Sequence, residues 1–238
     1  MVRFAASPAF PVTLLLLLGA ITAQVLAGGT PVTALDRAVR DGLLPLTDAL
    51  SGAWPDRAVH GVAALGGPVP GALVLAATVV CTARRTRVGR RPFLAAVAVV
   101  LMSVAATMAL VFAGKRLTGR PGPTGDPLAP GQWGFFPSGH SATSAVCFGG
   151  AVLLARAVLP PGRATRLGGA VATALCAMVG FALLWCGYHW ISDVIAAWAL
   201  TGTVLWLAGT SLRHIPHEGR GRRAVGEPGR ASARRSDP

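Results

Sequence analysis

Charge is scarce in this sequence, and negative charge scarcer still. Only 13% of the 238 residues are charged, with 9 Asp and Glu against 22 Lys and Arg, where soluble domains carry about 25% charged residues. Together with 53% hydrophobic residues and a mean hydropathy of +0.56, that shortage excludes an ordinary soluble domain and predicts an integral membrane protein. The formal net charge of +13 falls mostly in short clusters between apolar runs and in the tail, so it bears on topology and on anionic lipid headgroups. No nucleic-acid-binding motif accompanies it, and no nucleic acid partner is expected. Cysteine is sparse too. Cys81, Cys147, Cys176 and Cys186 lie within or at the ends of apolar runs without metal-ligand spacing, so no disulfide framework, metal or other cofactor is expected.

Apolar runs are what the chain has in abundance. The first, residues 10–27, has the length of a retained span; the other reading is a signal-peptide core with Val25-Leu26-Ala27 as its cleavage site. Across residues 33–50, Leu35, Val39, Leu43, Leu46 and Leu50 alternate with Asp36, Arg37, Arg40, Asp41 and Asp48, and Pro45 interrupts the pattern. A short amphipathic helix on the outer membrane surface is expected there, with no chemistry assigned to it. A second span within residues 59–83 is kinked or entered through Gly66-Gly67-Pro68-Val69-Pro70 and ends in Arg84, Arg85, Arg87, Arg90 and Arg91. This is the densest basic cluster between two spans, so the positive-inside rule places it in the cytoplasm.

The remaining topology follows from that assignment. The third span, 93–113, runs outward to Lys115-Arg116, and the glycine- and proline-rich loop 117–136 is external. The fourth, 138–159, returns to a turn flanked by Arg156, Arg163 and Arg166. The fifth and sixth, 167–185 and 190–212, are joined outside by Cys186-Gly187-Tyr188-His189, with Trp133, Trp185, Tyr188 and Trp190 at the same level as an aromatic belt. The expected fold is an all-α polytopic bundle of about six transmembrane helices in a plasma membrane. Residues 1–57 form the N-terminal span and external amphipathic loop, 58–212 the transmembrane core, and 213–238 a basic, disordered cytoplasmic tail.

Polar residues able to do chemistry gather at the outer ends of three spans. Gly134-Phe135-Phe136-Pro137-Ser138-Gly139-His140-Ser141 opens onto an apolar run as a helix N-terminus does, and its unpaired N–H groups and dipole make an anion site. Lys115 and Arg120 follow the third span, while His189 and Asp193 open the sixth. His189 and Asp193 are four apart, hence neighbours on one helical face. A carboxylate there can take the proton of one ring nitrogen and leave the other as a nucleophile or base. Asp193 is also an ionisable group in an otherwise apolar span, which marks function. Ser138 lies in no Gly-x-Ser-x-Gly elbow, so an intramembrane serine hydrolase using Ser138 and His189 is the weaker reading.

Over residues 59–212 the chain resembles the type 2 phosphatidic acid phosphatase superfamily of membrane lipid phosphatases. Of that family's three motifs, the second is complete as Pro137-Ser138-Gly139-His140, and the end of the third matches His189 and Asp193. Two departures stand out. The arginine of the Lys-x6-Arg-Pro motif, counted from Lys115, falls on Gly122, and the Ser-Arg pair of the third motif falls on Ala182-Leu183. The resemblance implies metal-independent hydrolysis of a lipid phosphate or diphosphate through a phosphohistidine: His189 attacks phosphorus, Asp193 orients it, and His140 is the acid and base. Lys115, Ser138 and Gly139 hold the phosphate oxygens, and Arg120 is expected to join them on charge alone. The competing expectation is a weak or inactive member that binds lipid phosphate or acts as a membrane scaffold, which the two missing arginines favour. A soluble haloperoxidase, related through its vanadate-binding histidines, does not suit a chain with this many spans.

Overall fold

Each apolar run becomes a helix, and the breaks fall where proline and glycine cluster. The computed structural model describes residues 7–125 and 128–214. These form α1 (Ala9–Ala27), α2 (Pro31–Ala49), α3 (Trp54–Ala64), α4 (Pro68–Arg85), α5 (Arg90–Thr118), α6 (Gly139–Val158), α7 (Arg163–Trp185) and α8 (Ile191–Arg213), with no strand among the described residues. Five helices are long and apolar enough to cross a membrane, and α3 with α4, bent by 60° at a short break, makes six if the pair is one broken span. The expected basic tail lies, beyond residue 214, outside the described residues.

The helix with the smallest side chains sits in the middle. Gly139, Ser141, Ala142, Ser144, Cys147, Gly150 and Ala151 let α4, α5, α7 and α8 all pack against α6. Lipid tails are as apolar as leucine, so association here comes from close van der Waals contact. Leu75 of α4, Ala96 and Val100 of α5, Val146, Phe148 and Leu154 of α6, and Leu212 of α8 fill the main apolar cluster. The outermost helix, α1, lies along α8 and turns Leu15, Leu16 and Leu17 outward.

Two elements differ from the sequence expectation. First, α2 is not interrupted at Pro45. A proline leaves the carbonyl four residues back without its bond, here that of Asp41; both residues are exposed, so that carbonyl keeps access to water or headgroups. The helix is started firmly by a reciprocal cap: Thr33 N–H donates to Thr30 Oγ1 at 3.5 Å and Thr30 N–H to Thr33 Oγ1 at 2.9 Å. Second, α2 is more than a surface helix, because Asp36 is fully buried.

The basic residues collect at one end and the polar motifs at the other. Arg84 and Arg85 close α4, Arg90 opens α5, Arg156 lies in the last turn of α6, Arg163 opens α7 and Arg213 closes α8. Thr86 Oγ1 donates to the Val158 carbonyl at 2.9 Å and ties that end together. At the opposite end, the break between α3 and α4 packs on the first turn of α6, where a Cβ at Gly66 would come within 2.8 Å of His140 Cβ.

Candidate active site

Backbone contacts bring the motifs to one place. Ser138 caps α6, its Oγ accepting from Ser141 N–H at 3.3 Å, while its own N–H donates to the Asp193 carbonyl at 3.1 Å. The N-termini of α6 and α8 are therefore bound to each other. Lys115, in the last turn of α5, donates from Nζ to the carbonyls of Gly134 at 2.9 Å and Phe135 at 3.4 Å. Phe135 N–H in turn donates to the Arg120 carbonyl at 2.9 Å. This approach requires glycine at 134, where a Cβ would lie 2.7 Å from the Lys115 carbonyl oxygen and 2.8 Å from Arg120 N. Between α7 and α8, Gly187 at φ 65° turns the chain so that the N–H groups of Tyr188 and His189 both reach the Leu183 carbonyl, at 2.9 and 3.4 Å.

The product is a cavity of about 390 Å³ lined by Phe112, Lys115, Trp133, Gly134, Phe135, Gly139, His140 and His189. Among the described residues His140 makes no side-chain hydrogen bond, and Lys115 has no carboxylate partner. Of the residues singled out in the sequence, Lys115, Gly139, His140 and His189 share this cavity. Ser138 does not line it: the residue is fully buried and its hydroxyl is committed to the helix cap.

His189 and Asp193 meet, but not across a helical face. Helix α8 starts at Ile191, so His189 lies in the turn before it. Asp193 reaches back from the first turn of α8, its Oδ2 accepting from Trp190 N–H at 3.1 Å and meeting His189 Nδ1 at 3.2 Å. A carboxylate is an acceptor only, so Nδ1 is the donor in this contact, and the lone pair of the neutral ring then lies on Nε2. The Phe135 ring lies edge-on to the imidazole with centroids 5.8 Å apart.

Arg120 corrects an expectation. Its charge was expected to hold phosphate, yet it is buried outside the cavity lining. Nη1 donates to Asp193 Oδ1 at 2.6 Å and to Ser192 Oγ at 2.7 Å, while Nη2 pairs with Asp36 Oδ2. The reason is electrostatic: two buried carboxylates need a counter-charge more than an open pocket does. Asp36 itself was missed. Its Oδ1 accepts from Ser192 N–H at 2.9 Å and its Oδ2 also from Ser192 Oγ at 2.7 Å. The helical period held the signal that could have found it: Asp36, three residues before Val39 and seven before Leu43, lies on the edge of the apolar stripe of α2, whereas Asp41 and Asp48 lie on the opposite side and are exposed.

The two positions where arginine was expected are filled by packing. A Cβ at Gly122 would lie 3.0 to 3.2 Å from the Phe135 ring, and Leu183 is buried with Ala63, Val179 and Ala182 in an apolar cluster. Near the connection, burial and the Asp56 carboxylate push the Cys186 thiol up to about 11, so it stays protonated and is no nucleophile at neutral pH. Among the described residues, no three His, Cys, Asp or Glu side chains form a group able to hold a metal ion.

Comparison with known proteins gives a family and a fold. The sequence model of the PAP2 superfamily matches residues 94–214. The chain is similar to the crystal structure described as the first transmembrane PAP2-type phosphatidylglycerolphosphate phosphatase from Bacillus subtilis. The TM-score is 0.69 at 20% identity, covering 87% of this chain and 98% of that one, a likeness of fold. No curated protein sequence matches.

Proposed function

Since the chain belongs to the PAP2 superfamily, at the family level a lipid phosphatase, we propose that it hydrolyses a lipid phosphate or diphosphate through a phosphohistidine on His189, without a metal. The observation that carries this reading is the single cavity shared by Lys115, Gly139, His140 and His189, with Asp193 on the far ring nitrogen of His189. Nε2 of His189 attacks phosphorus as the bond to the leaving oxygen breaks, and protonated His140 gives that oxygen its proton. Water then attacks the phosphohistidine, His140 takes the water's proton, and the P–N electron pair returns to Nε2 as phosphate leaves. Lys115 and the N–H groups at the start of α6 hold the non-bridging oxygens. Ser138 contributes through the cap that sets those N–H groups, and Arg120 through its hold on Asp193.

The cavity's apolar wall favours a lipid over a soluble phosphate. Phe112 and Trp133 line it and are also exposed on the bundle surface, so a hydrocarbon chain can lie in the membrane while its phosphate enters. Polyprenyl diphosphate, phosphatidate and phosphatidylglycerophosphate all suit this arrangement. The arginine-rich opposite end, read with the positive-inside rule, supports an extracytoplasmic site in a plasma membrane. The test is phosphate release by purified protein in detergent with chelator present, across those three substrates, comparing wild type with His189→Ala. Release by the wild type, reduced at least about 10³-fold in the folded variant, supports the reading. No release from any substrate by folded wild-type protein overturns it in favour of a lipid-phosphate binder, which the absent arginines at Gly122 and Leu183 support.

A further inference from the structure

Helix α2 lies outside the stretch that matches the family, residues 94–214, yet it sends the carboxylate of Asp36 into the heart of the site. We propose that Asp36 is a positioning residue for His189, acting through Arg120 and Ser192 on Asp193, an inference that rests on the phosphohistidine reading above. Five residues form one continuous chain of contacts. Asp36 holds Ser192 by its backbone N–H at 2.9 Å and its hydroxyl at 2.7 Å, and pairs with Nη2 of Arg120. Arg120 Nη1 holds Asp193 Oδ1 at 2.6 Å. Asp193 Oδ2 then meets His189 Nδ1 at 3.2 Å.

Geometry and charge both make Asp36 necessary to this arrangement. A guanidinium with one carboxylate partner can swing about its long stem. With carboxylates from α2 and α8 on its two terminal nitrogens it is clamped in its plane. Both Asp193 oxygens are then occupied from fixed directions, so the carboxylate cannot rotate away from the imidazole. Ser192 tightens the same clamp, since its hydroxyl accepts from Arg120 and donates to Asp36. Exposure of Asp36 is 1% and of Asp193 0%, so water does not compete for these bonds. Asp36 also fixes α2 to the N-terminus of α8 by its bond to Ser192 N–H, which makes the amphipathic helix part of the site's rigid frame.

The experiment compares wild type, Asp36→Asn and Asp36→Glu in two independent readouts. In turnover, Asp36→Asn lowers kcat about 10- to 100-fold with KM within about twofold of wild type, because a loosened orienter affects the attacking ring and leaves the phosphate contacts alone. In ring 15N NMR of His189, the wild type shows the Nδ1–H tautomer, and Asp36→Asn shows a mixture of the two tautomers. A variant of Asp36 that is merely less stable, with wild-type kcat and an unchanged tautomer, overturns the proposal. Should Asp36→Asn fail to fold, Asp36→Glu keeps the charge and displaces it by one methylene: a kcat reduced about 10-fold at constant KM supports the role, and kcat within about twofold of wild type overturns it. If wild-type protein releases no phosphate, the phosphatase reading fails by itself, and the tautomer measurement still decides what Asp36 does.

Discussion

The cavity lined by Lys115, Gly139, His140 and His189 and the cluster of Asp36, Arg120, Ser192 and Asp193 meet at the His189–Asp193 contact, but their polar atoms are used in opposite ways. On the cavity side, Lys115 is hydrogen-bonded to backbone carbonyls, and among the described residues the exposed His140 makes no side-chain hydrogen bond. Among the described residues the Lys115 ammonium makes no ion pair with a carboxylate, the state in which an incoming anion gains most. On the cluster side, both Asp36 oxygens, both Asp193 oxygens and both terminal nitrogens of Arg120 are paired inside the protein. A charge available for binding and a charge available for holding are therefore separated by one imidazole ring. The difference teaches why Arg120 stands apart from the cavity: both of its terminal nitrogens are engaged by buried carboxylates.

Substitutions on either side of that ring should break different properties. Arg120→Gln is expected to have the largest effect on folding, about 3–5 kcal/mol, because it leaves two buried carboxylates without their counter-charge; denaturant unfolding monitored by circular dichroism measures it. Lys115→Ala acts on the other side. A loss of about 10²-fold in kcat/KM is expected, within the range for deleting one donor to a developing charge, with little change in melting temperature. A large loss of stability with normal turnover in that variant would erase the distinction between the two assemblies. The smallest effect belongs to Thr30→Ala, which removes the reciprocal cap of α2. About 1 kcal/mol of stability is expected to go, with kcat within about twofold, since Asp36 stays anchored by its own bonds. A matching loss of kcat would show that the helix start, and not only the carboxylate, sets the site.

Much of the site was legible because its signals are local. A serine before glycine and histidine at the head of an apolar run can be read as a cap, and Ser138 is one. Basic clusters between runs assign one end of the bundle, so Lys115, His140 and His189 could be expected at the other. What was read wrongly involves partners far apart in the chain. The spacing of His189 and Asp193 suggested a helical pair, whereas their contact is made across the turn into α8. Arg120 read as a phosphate ligand, and Asp36 was given no role, because each is defined by a partner 84 residues away, and Asp36 by another 156 away.

Hydropathy, proline and glycine placement and the basic clusters by themselves determined an all-helical membrane bundle, the break between α3 and α4, and the end at which the motifs collect. These are decided by how each segment partitions between water and lipid, a property of neighbouring residues. Tertiary structure alone decided which charges neutralise one another. Burying a carboxylate requires a counter-charge at hydrogen-bond range, and only the packing of α2 on α8 brings Asp36 to Arg120 and Ser192. The same packing put Phe135 over Gly122 and an apolar cluster around Leu183, and Lys115 is the lysine or arginine in the cavity lining.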